Sequence, residues 1–282
     1  MTLHSEIISW FGINKRDLPW RNSTPWGVLV SEFMLQQTPV SRVLPKWNEW
    51  MQRWPTAADL ASATTADVIT AWGRLGYPRR ALRLHDCSKV IARDFNNEVP
   101  PNEEILRTLP GIGEYTAAAI SAFAFDQKSL VLDINVRRLF GRLIDGVESP
   151  SLTSTKAEKV SRNTLLPEES AHIWAAATME LGALICTSRK PLCDSCPVKS
   201  RCAWREKGFP VSANLRKSQA WHGTDRQCRG VVVQALRENI SLTETELKKL
   251  WSEDSQLEKA LSSLVKDGLI SIRESGVFSL PR

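Results

Sequence analysis

Apolar residues recur at helical spacing over almost the whole chain. Ile7, Ile8 and Phe11 mark one face of the first segment, and Leu84, Cys87, Ile91 and Phe95 mark a later one. Before about residue 268 no run alternates with a period of two, so the body reads as all-α. Helix starts are signalled by Thr38 ahead of Pro39, by Thr56 before Ala57-Ala58-Asp59-Leu60, and by Thr65 before Ala66-Asp67-Val68. Stops are signalled by Gly76 after Trp72-Gly73-Arg74-Leu75, and by Pro100-Pro101. The pattern predicts many short helices joined by tight turns.

Beyond Cys202 the pattern changes. A basic, polar stretch from Arg205 to Arg229 carries Pro210, Ser212, Asn214, Ser218 and Gly223, and it reads as a linker over about 209–229. In residues 230–282, Val231 to Leu236, Glu244 to Trp251 and Leu257 to Val265 read as three short helices. Gly268 to Ile272 and Gly276 to Leu280 read as a hairpin with period-two alternation. Three helices and a β-wing resemble a winged-helix module, which serves either as a DNA contact or as a protein-contact or structural appendage.

A length of 282 residues allows about two domains, and 42% apolar with 24% charged residues is the composition of an ordinary folded chain. The net charge of +6 is a mild attraction to polyanions, which makes nucleic acid a candidate partner. No run approaches the ~20 apolar residues that span a bilayer, and Glu6 stands where a signal peptide carries a basic region. The expected location is cytoplasmic, with the nucleoid when on DNA, and the expected state is a monomer.

Of six cysteines, Cys87 and Cys228 stand apart and read as ordinary thiols. Cys186-x6-Cys193-x2-Cys196-x5-Cys202 crowd together. Four thiolates so close in sequence can surround one ion or one cluster. A structural zinc pairs two short-spaced knuckles, whereas this run has one, so the spacing favours an iron–sulfur cluster over zinc. In Leu109-Pro110-Gly111-Ile112-Gly113-Glu114-Tyr115-Thr116, Gly111 and Gly113 let the backbone turn sharply into an alanine-rich helix. Its free N–H groups suit a phosphate, although an ordinary helix–helix turn also fits. Two carboxylates stand out. Glu32 lies in an otherwise apolar and neutral segment, where desolvation would raise its pKa as a general acid needs; a solvent-facing helix glutamate is the plain alternative. Asp133 follows an apolar run and precedes a helix, as an N-cap does, and capping is compatible with catalysis.

Leu18-Pro19-Trp20-Arg21, Ser31-Glu32-x-Met34-Leu35-Gln36-Gln37-Thr38, Gly76-Tyr77, the glycine hairpin, Asp133-x-Asn135-Val136, and Leu181-Gly182-Ala183 before the cysteines follow one another in an order that resembles MutY-type adenine DNA glycosylases. These belong to the helix-hairpin-helix, iron–sulfur endonuclease III superfamily. The likeness covers about residues 5–208. It implies a six-helix barrel with the hairpin over 24–130, and an iron–sulfur domain made of 1–23 and 131–208 that holds a 4Fe-4S cluster on Cys186, Cys193, Cys196 and Cys202. It also implies an activity, release of adenine mispaired with 8-oxoguanine or guanine in double-stranded DNA. Glu32 would protonate the base and Asp133 would stabilise the positive sugar, with Tyr115 and Asn135 orienting them. Gln37 and Tyr77 would wedge into the duplex, and Arg16, Trp20 and Arg21 would meet the extruded base.

The superfamily's strand-cleaving members carry a lysine just after the hairpin. Tyr115 takes that place here and no lysine occurs from Pro100 to Gln127, which implies a monofunctional enzyme. Pro78 stands where many relatives have a second tyrosine, and Ala176 replaces a polar residue of the adenine pocket. No nudix-like pattern follows the cysteines, so residues 230–282 are left with a possible protein contact. Two rival readings are a G·T or G·U mismatch thymine/uracil glycosylase on the same scaffold, and an iron–sulfur redox-sensing DNA-binding regulator.

Overall fold

A computed structural model describes residues 2–151, 153–211, 221–273 and 276–282. The longer elements are, in order, α1 (Leu3–Asn14), α2 (Pro25–Leu35), α3 (Val40–Arg53), α4 (Ala57–Ala61), α5 (Thr65–Trp72), α6 (Arg79–Asp94), α7 (Glu103–Leu106) and α8 (Glu114–Phe125). There follow α9 (Ile134–Phe140), α10 (Lys156–Asn163), α11 (Ala171–Leu184), α12 (Ala203–Glu206), α13 (Asp225–Glu238), α14 (Glu244–Lys248) and α15 (Asp254–Lys266). Strands β1 (Leu242–Thr243), β2 (Ser271–Ile272) and β3 (Val277–Ser279) form one antiparallel sheet in the order β1-β3-β2.

The all-α reading holds for the body. Thr56 caps α4 through a reciprocal capping box with Asp59. Two of the sequence's helix starts need correction. The residue capping α5 is Thr64, whose hydroxyl accepts the Asp67 N–H, rather than Thr65. Pro39, with no side-chain cap, sits at the N-cap of α3, because the Thr38 hydroxyl is engaged by Arg80 and by the Leu75 carbonyl. In the tail, α13 begins at Asp225 and so enters the span read as linker, of which residues 212–220 lie outside the described residues. The wing also has a strand that the alternation did not reveal, β1, which is only two residues long.

The chain divides into two compact units: Met1–Val28, Pro101–Thr108 and Ile112–Lys217 form the first, and Leu29–Pro100, Leu109–Gly111 and Ser218–Arg282 the second. Compared with the expected domains, residues 24–28, 101–108 and 112–130 group with the first unit, and the tail groups with the second. Helix α8 groups with the first unit, because Ala118, Ala119 and Ala122 pack with Val131 and with Ala175 of α11. Residues 230–282 do not stand apart, since Val232, Leu236, Leu257 and Leu264 share one core with Ile69 of α5. Elsewhere the first unit is centred on Ile7, Leu139, Phe140, Trp174 and Leu181. The second contains Trp50 set edge-on to Trp54 and Trp72, with ring centroids 4.8 and 5.5 Å apart. Among the described residues no helix is long and apolar enough to cross a membrane.

Candidate active site

Glu32 is 5% exposed and stands on α2 among Leu29, Val30, Phe33 and Met34, all buried. The solvent-facing alternative is thereby removed. At the end of α2 the chain turns through Gln37, an exposed residue at φ 55°. A second turn after α5 places Tyr77 at φ 47°, also exposed. Non-glycine residues at positive φ are strained, and such strain concentrates at functional loops. One side chain ties both turns together. Arg80 donates through Nη1 to the carbonyls of Phe33 and Met34 at 3.0 Å and to that of Gln36, and through Nη2 to the Thr38 hydroxyl at 2.9 Å and the Gly76 carbonyl at 3.0 Å. Its Nε is buried with no hydrogen-bond partner among the described residues, and burial pushes the guanidinium down to about 10. The two wedge candidates, Gln37 and Tyr77, are therefore brought to one place within the second unit.

Within the first unit Asp133 is the N-cap of α9. It accepts the Val136 N–H at 2.6 Å and the Asn135 side-chain amide at 2.6 Å. Asn135 in turn accepts from Arg138 at 2.9 Å, and the same Arg138 nitrogen donates to the Gly182 carbonyl at 2.6 Å. Burial pushes the Asp133 carboxyl above its usual range, against the lowering from these N–H donors and from the Arg138 charge. Gly182 has a steric reason. A Cβ there would come within 2.7 Å of the Asn135 carbonyl oxygen, so only glycine lets α11 approach the start of α9. Tyr115 is half-buried in the first turn of α8 and packs against its alanine cluster.

Arg16, Trp20 and Arg21 look different in the structure from an open base pocket. Glu180, 2% exposed, accepts the Arg16 backbone N–H at 2.8 Å and its guanidinium at 3.0 and 2.7 Å, and lies 3.0 Å from Arg21. Burial pushes this carboxyl up, yet the Arg16 bonds and the two charges outweigh it and hold Glu180 below the usual range. Arg21 also donates to the Arg16 carbonyl, and Trp20 is 7% exposed. The two cations share one buried carboxylate and the indole is covered, so the segment is held in place by Glu180.

In the hairpin Gly111 is required. Its φ is 80°, and a Cβ would meet Arg83 at 2.7 Å and Phe33 at 2.8 Å. Gly113 is the extended N-cap of α8 and supplies no side-chain cap.

The four clustered cysteines are unpaired as disulfides and, with Leu139, Arg142, Val198 and Trp204, line one small pocket. The uneven spacing of the four thiols, with one short knuckle in place of two, fits an iron–sulfur cluster better than zinc. Arg142, 1% exposed, braces the loop by donating to Glu148 O at 2.8 Å, Thr187 O at 2.7 Å, Ser188 O at 3.2 Å and Cys186 Sγ at 3.5 Å. Cys87 is fully buried, and burial pushes it up to about 12, as befits a core thiol.

Sequence reasoning missed Arg80, Arg138, Arg142 and Glu180. Their signal is weak, because an arginine that will serve loop carbonyls reads like any cation on a helix face. Residues 30–163 match the model of the HhH-GPD superfamily of base excision DNA repair proteins, and residues 186–202 match that of the iron-sulfur binding domain of endonuclease III. The chain is similar to the adenine DNA glycosylase of Mycobacterium tuberculosis, 47% identical across 98% of this chain and 93% of the relative. It is similar to that of Mycolicibacterium smegmatis at 46% identity across 98% and 94%. Among solved structures, a thermostable thymine-DNA glycosylase aligns at 28% identity and a TM-score of 0.67, over 72% of this chain and 95% of that one.

Proposed function

The chain belongs to the adenine DNA glycosylase family, and from that premise we propose that it is a monofunctional glycosylase of base excision repair that hydrolyses the glycosidic bond of adenine opposite 8-oxoguanine or guanine. Adenine is a poor anionic leaving group, and the departing sugar becomes an oxocarbenium-like cation. The reading is carried by one observation: an acid buried in an apolar helix face, Glu32, in the same chain as an acid whose oxygens are pinned by fixed donors, Asp133. In its protonated form Glu32 delivers a proton to adenine N7 as the C–N bond breaks. The base leaves neutral, and the Glu32 carboxylate then takes a proton from the attacking water, so the enzyme is regenerated. Asp133 stays ionised and stabilises the positive sugar, with Asn135 holding its orientation and Tyr115 completing the surroundings. Gln37 and Tyr77 enter the gap left by the extruded nucleotide.

Gly111 and Gly113 turn the hairpin so that the α8 N–H groups meet the DNA backbone without reading sequence. Cys186, Cys193, Cys196 and Cys202 would hold the 4Fe-4S cluster, which supplies the covalent centre of their loop. The protein acts as a monomer in the cytoplasm.

Single-turnover release of adenine from duplexes pairing it with 8-oxoguanine, guanine or thymine tests the reading, with thymine release from a G·T duplex alongside. Wild-type release opposite 8-oxoguanine, reduced about 10²–10⁴-fold in Glu32→Gln and in Asp133→Asn, is expected. Undiminished release in either variant, or thymine release from G·T in place of adenine release, would sink it.

A further inference from the structure

Residues 225–282 are the part of the chain that the glycosylase chemistry leaves without a role. They are built onto the barrel side of the second unit. Ala66 and Leu82 pack against the core that Val232, Leu236 and Leu264 share with Ile69. Arg237 donates to the Ile69 carbonyl at 3.0 Å, and Asp267 pairs with Arg229 at 2.6 Å and with Arg79 of α6 at 3.6 Å. This docking sets the start of α13 beside the second strained turn. The Arg226 guanidinium lies 5.6 Å from the centre of the Tyr77 ring, as does that of Arg80. The ring itself belongs to a residue 44% exposed.

We propose that the C-terminal module is a substrate-reading element, in which Arg226 is a positioning residue that holds the Tyr77 ring, jointly with Arg80, in the attitude from which it enters duplex DNA. The inference rests on the reading of Tyr77 as a wedge. A guanidinium over an aromatic ring is attracted by the ring's quadrupole, so the ring loses freedom before DNA arrives and the insertion step is pre-organised. Tyr77 sits on a turn whose backbone is already fixed by Arg80. The remaining freedom is rotation of the side chain, and that is what a second cation limits. Arg226 is also an exposed positive charge beside this turn, which suits a polyanion and no apolar partner.

The experiment uses the full-length holoenzyme and four variants, Arg226→Ala, Arg226→Lys, Tyr77→Leu and the Arg226→Ala/Tyr77→Leu double. Extrusion is followed by the fluorescence of a 2-aminopurine beside the target adenine, together with single-turnover release opposite 8-oxoguanine and guanine. Arg226→Ala is expected to slow extrusion and release about fivefold and to narrow the preference for 8-oxoguanine, with most of the loss recovered in Arg226→Lys. The double variant should be no slower than Tyr77→Leu, since the arginine acts through the ring. Melting temperature and the visible absorbance of the cluster should stay at wild-type values, because Arg226 is exposed. Lys259→Ala, an exposed cation of the same module, should release adenine at the wild-type rate; a loss equal to that of Arg226→Ala would reduce the effect to general charge and overturn the proposal. Slow Tyr77→Leu with unaffected Arg226→Ala, or losses that multiply in the double variant, would overturn it while leaving the wedge intact. Wild-type extrusion and release in Tyr77→Leu would remove the wedge reading and this inference with it.

Discussion

The cysteine loop of the first unit and the paired turns of the second are each held by a single arginine, buried in the first and half-buried in the second, yet they are held to different ends. Around Arg142 each guanidinium nitrogen finds an acceptor, its guanidinium also lies 4.5 Å from the Trp204 ring, and the loop it serves carries the four clustered cysteines. Around Arg80 the satisfaction is incomplete, with Nε left unpartnered, and the turns it serves carry Gln37 and Tyr77 at positive φ. The first arrangement is that of a brace. The second holds two exposed side chains in strained conformations, which is what insertion into a base stack demands of a protein before its substrate binds.

Three substitutions break or sharpen this contrast. Arg142→Met leaves the Glu148, Thr187 and Ser188 carbonyls without that donor. Ser188 is exposed and can turn to water, so at about 1–3 kcal/mol for each of the two part-buried carbonyls, urea unfolding should show a loss of about 2–6 kcal/mol, accompanied by loss of the cluster's visible absorbance. If stability and absorbance survive, the brace is not what holds the loop. Arg80→Met should keep the absorbance and lower single-turnover release about 10²-fold, the scale of a small misplacement of reacting groups; equal loss of the cluster would erase the distinction between the two arginines.

The smallest effect concerns Arg138, which links the regions of the first unit by donating to the Cys186 carbonyl at 2.7 Å as well as to Asn135. In the proposed mechanism Asp133 works as the carboxylate, so release should fall as pH drops through its raised pKa. Arg138 lowers that pKa, so Arg138→Met should move the acid limb of the pH–rate profile to higher pH. A limb that stays put, or moves to lower pH, would detach Arg138 from the carboxylate. The linkage has a stability counterpart. A carboxyl raised on folding opposes the folded state above its folded pKa, and that opposition disappears as pH falls below the unfolded value.

Much of this was legible in residues whose chemistry is carried by type and order. The cysteine spacing, the turn at Gly111, the cap at Asp133 and the helical period of the body all follow from local rules that sequence expresses directly. The scaffold around Glu180 was not legible, because a salt bridge between positions 16 and 180 leaves no periodic mark. The same holds for α8, whose alanines look alike on every face and declare their partner only once Ala175 and Val131 are in place. Thr38 was misread because its hydroxyl serves a distant carbonyl in preference to its own helix.

The core that Ile69, Ala66 and Leu82 share with α13 and α15 bears on how such a chain can be shortened in evolution. Removing everything after the cysteine loop would bare three apolar side chains on two helices and take the Arg237 donor from the Ile69 carbonyl. A lineage that sheds the tail must therefore repaint α5 and α6 with polar residues in the same steps. The last fifty-odd residues and the faces of those two helices are one packed unit, to be kept or changed together in any shortened variant.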